Sequence, residues 1–381
     1  MGEAIIVGAG IGGLTAALAL RRAGVGVRVL ERAERLVPAG AGLTIQPNAV
    51  MALRRLGIGS TFETKAQPLS TAQILTAQGK LLRGLDQAAA TQLRNDVGAP
   101  AYGIHRATLQ AILLGALEPD TVELSTAVAD VDAAAGRVTL ADGGQREAAI
   151  VIGADGLNSI IRTRLVGDGL PRYSGYYCWR GVTRAAPFPP DWSGEFWGRG
   201  TRFGGCGIDG GWFYWFAVAD GPAGGRDPEG ARTAAMDAVQ GFDERVVESV
   251  ATTAPDDVFR TDISDRDPVA SWGVERATLL GDAAHPMTPN LGQGACQAIE
   301  DALVLGDRVA RLGAEPAALR AYEDARIKRA NTTVRAARRL GDVAQASTRT
   351  GSWLRNRGAA LLPQGALLRQ LTTAWSLPAD Y

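Results

Sequence analysis

The sequence predicts an α/β protein in which a second, sheet-based domain is inserted into the first and a helical segment follows at the C-terminus. Three observations predict this fold class. A strand, a glycine-rich turn, a helix and a second strand open the chain, and another short buried strand enters a Gly-Asp turn near residue 281. The stretch 171–274 between them holds six of the eight tryptophans and several clusters of proline and glycine.

The N-terminal segment has the pattern of a β-α-β unit. Ala4 to Val7 is an apolar run typical of a buried strand, and Leu14 to Ala23 is rich in alanine and leucine, which favour a helix. Val25 to Leu30 follows as a second strand, with Glu31 at its end. Glycines at 8, 10 and 13 join the first strand to the helix, and in this context they are typical of dinucleotide binding.

The three glycines have separate tasks in such a turn. Gly8 permits the tight turn, Gly10 lets the backbone approach a pyrophosphate, and Gly13 allows the helix to pack closely on the strand. The helix N-terminus adds partial positive charge. Glu31 is placed to accept hydrogen bonds from adenosine ribose hydroxyls, and its charge disfavours a 2′-phosphate. The predicted nucleotide is therefore FAD or NAD rather than NADP.

The chain beyond this unit alternates between strand and helix signals. We predict a hairpin over 71–86, around Gln78-Gly79, and a helix over 107–117. Four further strands are predicted over 122–131, 137–140, 149–152 and 278–280. Helical, arginine-rich sequence then continues to about Gln345.

Composition excludes several classes of function. Forty basic and forty acidic residues leave no net charge, so no global field attracts nucleic acid. The three cysteines lack C-x-x-C spacing, which argues against disulfides and zinc and fits a reducing cytoplasm. No apolar stretch is long enough to span a bilayer. With two histidines and no G-x-S-x-G pattern, we expect a bound cofactor to do the difficult chemistry.

Three motifs make the sequence resemble the group A flavoprotein monooxygenases, which share the p-hydroxybenzoate hydroxylase-like fold. Gly8 to Gly13 resembles their first motif, Gly153 to Ser159 with Arg162 the second, and Gly281 to Pro286 continuing to Gly294 the third. The resemblance implies a Rossmann-like FAD-binding domain of the GR2 type with an inserted mixed β-sheet substrate domain. The expected bounds are 1–70, 98–170 and 275–345 for the FAD-binding domain, 71–97 and 171–274 for the substrate domain, and 346–381 for a helical tail.

The resemblance also implies which residues hold a tightly bound FAD. Asp282 would accept hydrogen bonds from the ribityl chain, Gly292 and Gly294 would let the backbone approach the flavin, and Arg106 would lie near the phosphates. The full implied set is Gly8, Gly10, Gly13, Glu31, Arg32, Thr44, Arg106, Val128, Asp155, Asp282, Gly292, Gln293 and Gly294. A second interpretation stays open for Asp155 and Arg162, which would chiefly hold the fold together. We expect His285 to be structural.

In this family NADH or NADPH reduces the flavin, O2 adds to it, and the resulting C4a-hydroperoxide transfers a hydroxyl group to an electron-rich substrate. The resemblance therefore implies a monooxygenase that acts on a small aromatic or heteroaromatic compound. Because water would promote the loss of hydrogen peroxide from the flavin, we expect a pocket that excludes water. The run from Trp212 to Phe216 offers a wall, since alternation along a strand places Trp212, Tyr214 and Phe216 on one face and Phe213 and Trp215 on the other. The alternative for each of these residues is a place in the core.

Arg202 and Tyr214 are the candidate catalytic residues. The segment between them is similar, with equal spacing, to the substrate-contacting segment of FAD-dependent urate hydroxylases. An arginine can stabilise a deprotonated substrate, and a tyrosine can fix an oxygen or nitrogen edge. Cys178 stands where those enzymes are expected to carry a polar amide, which leaves a larger or more apolar ring open. For Arg180 and Arg202 a structural salt bridge is the alternative.

Other functions stay open at this point. Aurachin- and zeaxanthin-type epoxidising members share the three motifs, so alkene epoxidation is an alternative. A reductase of the geranylgeranyl-reductase type would saturate a double bond without oxygen, and a non-catalytic module would only bind flavin. The sequence predicts no nucleic-acid partner and no stable membrane insertion. It permits a monomer or a homodimer and does not distinguish NADH from NADPH.

Overall fold

The computed structural model describes residues 2–36, 41–379 and 381. Its helices are α1 (Ile11–Arg22), α2 (Pro47–Arg55), α3 (Gly59–Lys65), α4 (Gln87–Val97), α5 (Arg106–Gly115), α6 (Ile160–Leu165), α7 (Ala231–Ala238), α8 (Glu244–Ala251), α9 (Gly294–Leu312), α10 (Pro316–Ala344), α11 (Arg349–Leu361) and α12 (Gln364–Trp375). Its strands are β1 (Glu3–Val7), β2 (Gly26–Leu30), β3 (Gly42–Ile45), β4 (Gln67–Leu69), β5 (Gln73–Thr76), β6 (Leu81–Gly84), β7 (Ala101–His105), β8 (Val122–Glu123), β9 (Val128–Asp132), β10 (Arg137–Leu140), β11 (Gln145–Glu147), β12 (Ile150–Gly153), β13 (Arg172–Thr183), β14 (Ser193–Trp197), β15 (Thr201–Ile208), β16 (Trp212–Asp220), β17 (Phe259–Asp265) and β18 (Ala277–Leu279).

A five-stranded parallel sheet with the order β18-β12-β1-β2-β8 brings the three sequence motifs together. The strands of a parallel sheet end at the same edge. Their register aligns Val7, Gly153 and Leu279, at the ends of β1, β12 and β18. The three glycine-containing turns therefore leave the sheet side by side, although the sequence separates the first from the third by more than 250 residues.

Helix α1 covers this sheet and packs against α9. Nine of the twelve residues of α1 are buried, and most of them are alanine, leucine or glycine. The contact is close, because a Cβ at Gly306 would lie 2.8 Å from the Cβ of Ala19. The N-terminal unit thus depends on a helix from the last quarter of the chain.

A mixed seven-stranded sheet, ordered β17-β13-β16-β15-β14-β5-β6, forms the second layer. The hairpin predicted around Gln78-Gly79 is confirmed as β5 and β6, with Gly79 at φ +81° in the turn. It joins the sheet because β5 pairs in parallel with β14. On one face of the sheet, Phe203, Phe213 and Trp215 pack in an apolar cluster with residues of α7 and α8.

The structure corrects one strand prediction. The run 122–131 is two short strands rather than one, and Ser125 between them has φ +54°. β8 pairs with β2 in the parallel sheet, whereas β9 pairs with β10 in a separate three-stranded sheet. The C-terminal helices are confirmed as α11 and α12. The exact domain bounds stay a prediction.

Within the described residues, no helix is both long and apolar enough to cross a membrane. The three cysteines are all buried free thiols. Gly40, which the sequence places in one run with Thr44, lies outside the described residues.

Candidate active site

The site begins at the turn between β1 and α1. Gly8 has φ +105°, which favours glycine, and a Cβ there would meet the Ala154 carbonyl oxygen at 2.5 Å. A Cβ at Gly13 would lie 1.9 Å from the Gly8 carbonyl oxygen, so only glycine lets α1 start this close to β1. Nothing lies within 4 Å of a Cβ built at Gly10. The N-terminus of α1 is therefore open to an anion.

Glu31, which follows β2, stabilises this turn through hydrogen bonds. Its Oε2 accepts a hydrogen bond from the Ala9 amide at 2.8 Å, and its Oε1 accepts one from the Ala33 amide at 2.9 Å. Each carboxylate oxygen can accept a further hydrogen bond, so Glu31 can hold the turn and still bind a hydroxyl. Two other residues are expected to bind FAD. Arg32 is exposed to solvent, and Val128 packs in the main apolar core.

A cleft of about 490 Å³, called here the outer cleft, is lined by the N-termini of both α1 and α9. The two helices bring partial positive charge to the same space. Arg106 also lines it, and within the described chain its guanidinium has no hydrogen bond or ion pair. The outer cleft is thus suited to phosphate groups.

Asp282 brings an acceptor to the outer cleft. Its side chain is accessible from the cleft and accepts no hydrogen bond from the described residues. Desolvation by the surrounding protein raises the pKa of the Asp282 carboxyl, while the nearby His285 and Arg106 lower it. A hydroxyl donor is its natural partner. Open helix N-termini, Arg106 and Asp282 along one cleft therefore fit a dinucleotide that carries a polyol chain, as FAD does.

Arg162 and Asp155 of the second motif form hydrogen bonds within the protein. Arg162 is fully buried and donates to Asp168 at 2.6 Å and to the carbonyls of Ala283 and Ala284 at 3.0 and 2.6 Å. It thereby ties the second motif to the third. Asp155 accepts hydrogen bonds from the Ser159 hydroxyl and from amides at the start of α6. These contacts support the interpretation in which both residues hold the fold together.

The third motif continues into a loop that precedes α9. Gly292 has φ +61°, and Gly292 and Gly294 line the cavity described below. The Gln293 side chain instead turns into the protein, where its Oε1 accepts hydrogen bonds from Asn48 at 3.1 Å and Gln297 at 2.9 Å. Any contribution of Gln293 to a ligand would therefore come from its main chain.

A buried ion network, made of His285, Glu300, Asp301 and Arg326, supports this loop. Asp301 accepts hydrogen bonds from His285 at 2.5 Å and from Arg326 at 2.7 Å, and Arg326 also donates to Glu300 at 2.5 Å. Burial would raise the pKa of Asp301, but His285 and Arg326 lower it to about 2. Asn48 donates to Glu300 at 2.5 Å and so links the network to Gln293. The expected structural role of His285 agrees with this geometry.

A second cavity of about 270 Å³, called here the inner cavity, lies over the central strands β13, β16 and β15. Their register places Phe216 between Arg180 and Gly204, and Val218 between Cys178 and Arg202. A Cβ at Gly204 would lie 2.4 Å from the Phe216 ring, so glycine is needed for this ring to lie across β15.

The alternation predicted along 212–216 is confirmed. Tyr214 and Phe216 line the inner cavity, whereas Phe213 and Trp215 face the apolar cluster beneath α7 and α8. Trp212 lies on the same face as Tyr214 but outside the cavity, where Arg184 stacks on its ring at 4.3 Å. One face of β16 therefore lines a pocket and the other forms the core.

Arg202 lines the inner cavity but is bound to the protein through all three guanidinium nitrogens. They donate to Gln345 at 2.5 Å, Glu195 at 3.2 Å and Asn290 at 2.7 Å. Arg202 is only 2% exposed, and Glu195 neutralises its charge. The geometry supports the salt-bridge alternative, with Arg202 holding Asn290 and hence the loop before α9.

Arg180 and Tyr214 are two polar groups of the inner cavity that remain able to bind a ligand. Arg180 donates to the Thr261 hydroxyl and forms no ion pair with any described carboxylate. Burial raises the pKa of the Tyr214 phenol, so it stays protonated and able to donate. Both residues line the outer cleft as well as the inner cavity, as do Asp282, Gly294 and Ala295. The two spaces therefore meet at these side chains.

Several residues of the site had no distinct signal in the sequence. Glu195 and Gln345 bind Arg202 from distant segments, and charge or polarity alone does not identify such partners. Asn290 lies within the third motif, which was a signal for its position but not for its contact with Arg202. Thr44 does line the inner cavity, with its hydroxyl 3.7 Å from the Cys206 sulfur.

Comparisons with known proteins agree with this geometry. A family profile described as an FAD binding domain matches residues 1–337. Aurachin C monooxygenase/isomerase from Stigmatella aurantiaca is 41% identical over 357 residues, which cover 93% of this chain and 92% of that protein. FAD-dependent urate hydroxylase from Klebsiella pneumoniae is 33% identical over 347 residues, 90% of each protein. The structure of Klebsiella pneumoniae HpxO with FAD and uric acid matches with a TM-score of 0.90 at 30% identity, over 98% of this chain and 96% of that one.

Proposed function

This chain belongs to the FAD-dependent monooxygenases, and from that premise we propose that it hydroxylates a small heteroaromatic substrate held in the inner cavity by Arg180 and Tyr214. The membership confirms the resemblance drawn from the three motifs. Bound FAD would accept electrons from NADH or NADPH and activate O2. Residues at the N-termini of α1 and α9, with Glu31, Arg106 and Asp282, would hold it.

One observation carries the proposal. Arg180, Tyr214 and Asp282 line both the outer cleft and the inner cavity, so a ring in the inner cavity would lie beside a cofactor in the outer cleft. Proximity of the two reactants removes much of the entropic barrier to their reaction. The structure of a relative with FAD and uric acid bound supports a heteroaromatic ring as the occupant.

The polar and apolar parts of the inner cavity suggest how the substrate is oriented. Arg180 would bind an oxygen or nitrogen that carries negative charge, and the protonated Tyr214 would donate to a neighbouring acceptor. Phe216 and Val218 would cover the apolar edge of the ring and exclude water. Arg202 would act as a positioning residue through Asn290 rather than as a direct ligand of the substrate.

The test is oxidation of NADH and of NADPH by the FAD-loaded protein, measured with urate, phenols, salicylates, quinolones and a polyene, with mass analysis of each product. We expect one ring compound to stimulate oxidation and to gain one oxygen atom. Stimulation by the polyene alone would favour alkene epoxidation, and turnover that continues without oxygen would favour a double-bond reductase. Either outcome would refute hydroxylation.

We also expect this protein to work in the cytoplasm. Buried free thiols are compatible with a reducing cytoplasm. Mass measurement of the purified protein would distinguish a monomer from a homodimer.

A further inference from the structure

Exposed apolar side chains concentrate in one short part of the chain. Among the described residues, twelve large hydrophobic side chains are exposed, and five of them fall between residues 343 and 362. They are Val343, Trp353, Leu354, Leu361 and Leu362, at the end of α10 and along α11. Single exposed apolar residues are ordinary, but a cluster of this kind marks an interaction surface.

Trp353 is the centre of this surface, which is called here the α11 face (Trp353, Leu354, Arg357 and Leu361). Of the eight tryptophans in the chain, Trp353 alone is exposed, with 56% of its surface open. Residues at spacings of three and four lie on one side of a helix. The Arg357 guanidinium accordingly lies 5.4 Å from the centre of the Trp353 ring.

The opposite side of α11 is fixed to the protein. Arg355 donates to the carbonyls of Ala344 and Gly198, both at 2.7 Å, and lies 5.2 Å from the Trp197 ring. Ser352 is buried on the same side. Because these contacts set the rotation of the helix, Trp353 and Leu361 are held outward.

The charge of this segment is one-sided. Residues 343–379 contain four arginines and no acidic residue or lysine. Three of the arginines, Arg349, Arg357 and Arg369, are exposed and form no ion pair with described residues. Apolar and aromatic groups beside unpaired arginines are typical of helices that lie in the interface of an anionic bilayer.

We propose that the α11 face docks this enzyme on the surface of an anionic lipid bilayer. Trp353, Leu354 and Leu361 would enter the headgroup region, while Arg357 and Arg349 would contact lipid phosphates from the water side. A second copy of this chain is a poorer occupant. A two-fold interface places the same patch on both copies, and here it would bring unpaired arginines together without any carboxylate from the segment.

The test uses the FAD-loaded full chain in co-sedimentation with vesicles of phosphatidylcholine alone or mixed equally with phosphatidylglycerol. We expect binding to the mixed vesicles that weakens as salt is raised. Arg357→Gln should reduce the partition coefficient about fivefold, the equivalent of one basic residue at such a surface. Trp353→Ala with Leu361→Ala should reduce it by more than about tenfold, because two apolar anchors are lost.

Two control variants separate this surface from general effects. Leu170 is 91% exposed between α6 and β13, and Arg335 is an exposed arginine on α10, so Leu170→Ala and Arg335→Gln should bind as the wild type does. Retained FAD in every variant would show that the fold is intact. The proposal is overturned if the wild type does not bind mixed vesicles, if the controls lose as much binding as the α11 variants, or if the α11 changes instead dissociate a dimer.

Discussion

Replacement of Asp301 by asparagine probes the buried ion network under the loop before α9. One oxygen of Asp301 accepts from Arg326, and the other accepts from the Gly281 amide and His285. Whichever oxygen becomes an amide nitrogen, a donor would then face another donor. Removing one partner of a buried ion pair costs about 3–5 kcal/mol. Since Glu300 still pairs with Arg326, we expect Asp301→Asn to lower the free energy of unfolding by about 3 kcal/mol.

The same network predicts a pH dependence. The pKa of Asp301 is lowered from 3.8 to about 2 in the folded protein, which corresponds to about 2 kcal/mol of stability. For a carboxyl with a depressed pKa, this contribution is complete above the unfolded pKa of 3.8 and is lost as the pH falls through about 2. The difference in stability between wild type and Asp301→Asn should therefore be constant near neutrality and shrink in acid.

Urea unfolding followed by circular dichroism measures both effects. Asp307→Asn is the matched control, because Asp307 lies on the same helix and pairs with Arg311 at 2.8 Å near the surface. A surface pair contributes little, so this change should cost less than about 1 kcal/mol. The reasoning is refuted if Asp301→Asn costs no more than the control at neutral pH, or if its cost does not change in acid.

Three further predictions concern the cofactor and substrate sites. Gly13→Ala should abolish FAD retention, because the new Cβ would lie 1.9 Å from a backbone oxygen. The control Gly115→Ala should retain FAD, because no atom lies within 4 Å of a Cβ at that position. Flavin absorbance per protein measures both. Glu31→Gln should raise the Kd for FAD at least about tenfold in fluorescence titration, because hydrogen bonds to a charged group are worth about 1.5–3 kcal/mol; an unchanged Kd would remove Glu31 from the site. Tyr214→Phe should lower kcat/KM about tenfold, because one hydrogen bond to the substrate is lost. Arg180→Gln should raise KM more than it lowers kcat. The FAD content of both variants should be unchanged. Equal kinetics in either variant would contradict the proposed substrate contacts.

The sequence was sufficient to identify the family from its three motifs. The parallel sheet of the structure then brings the three turns together, because the ends of its strands meet at one edge. The sequence also predicted that the side chains of 212–216 alternate between two faces of a strand, but not which of the two faces lines the pocket. The partners of Arg202 could not be predicted, because Glu195, Asn290 and Gln345 reach it from separate segments that only the tertiary fold brings together.

Two other features of the structure have local causes that the sequence does not reveal. The Gln293 side chain points inward because Asn48 and Gln297 offer it buried hydrogen bonds, and a motif does not record the direction of a side chain. The division of 122–131 follows from a left-handed residue at Ser125, where no glycine signalled a break.

The contact between α1 and α9 determines when a ribosome can produce a binding-competent chain. The first glycine turn is complete once Leu30 has been synthesised, but β18 and α9 begin only at Ala277 and Gly294. Until these residues emerge, α1 lacks the helix α9 against which it packs, and the outer cleft lacks its Asp282 wall. Nascent chains that end before α9 should therefore depend on chaperones and capture no FAD, so cofactor loading follows the first glycine turn by more than 250 residues of synthesis.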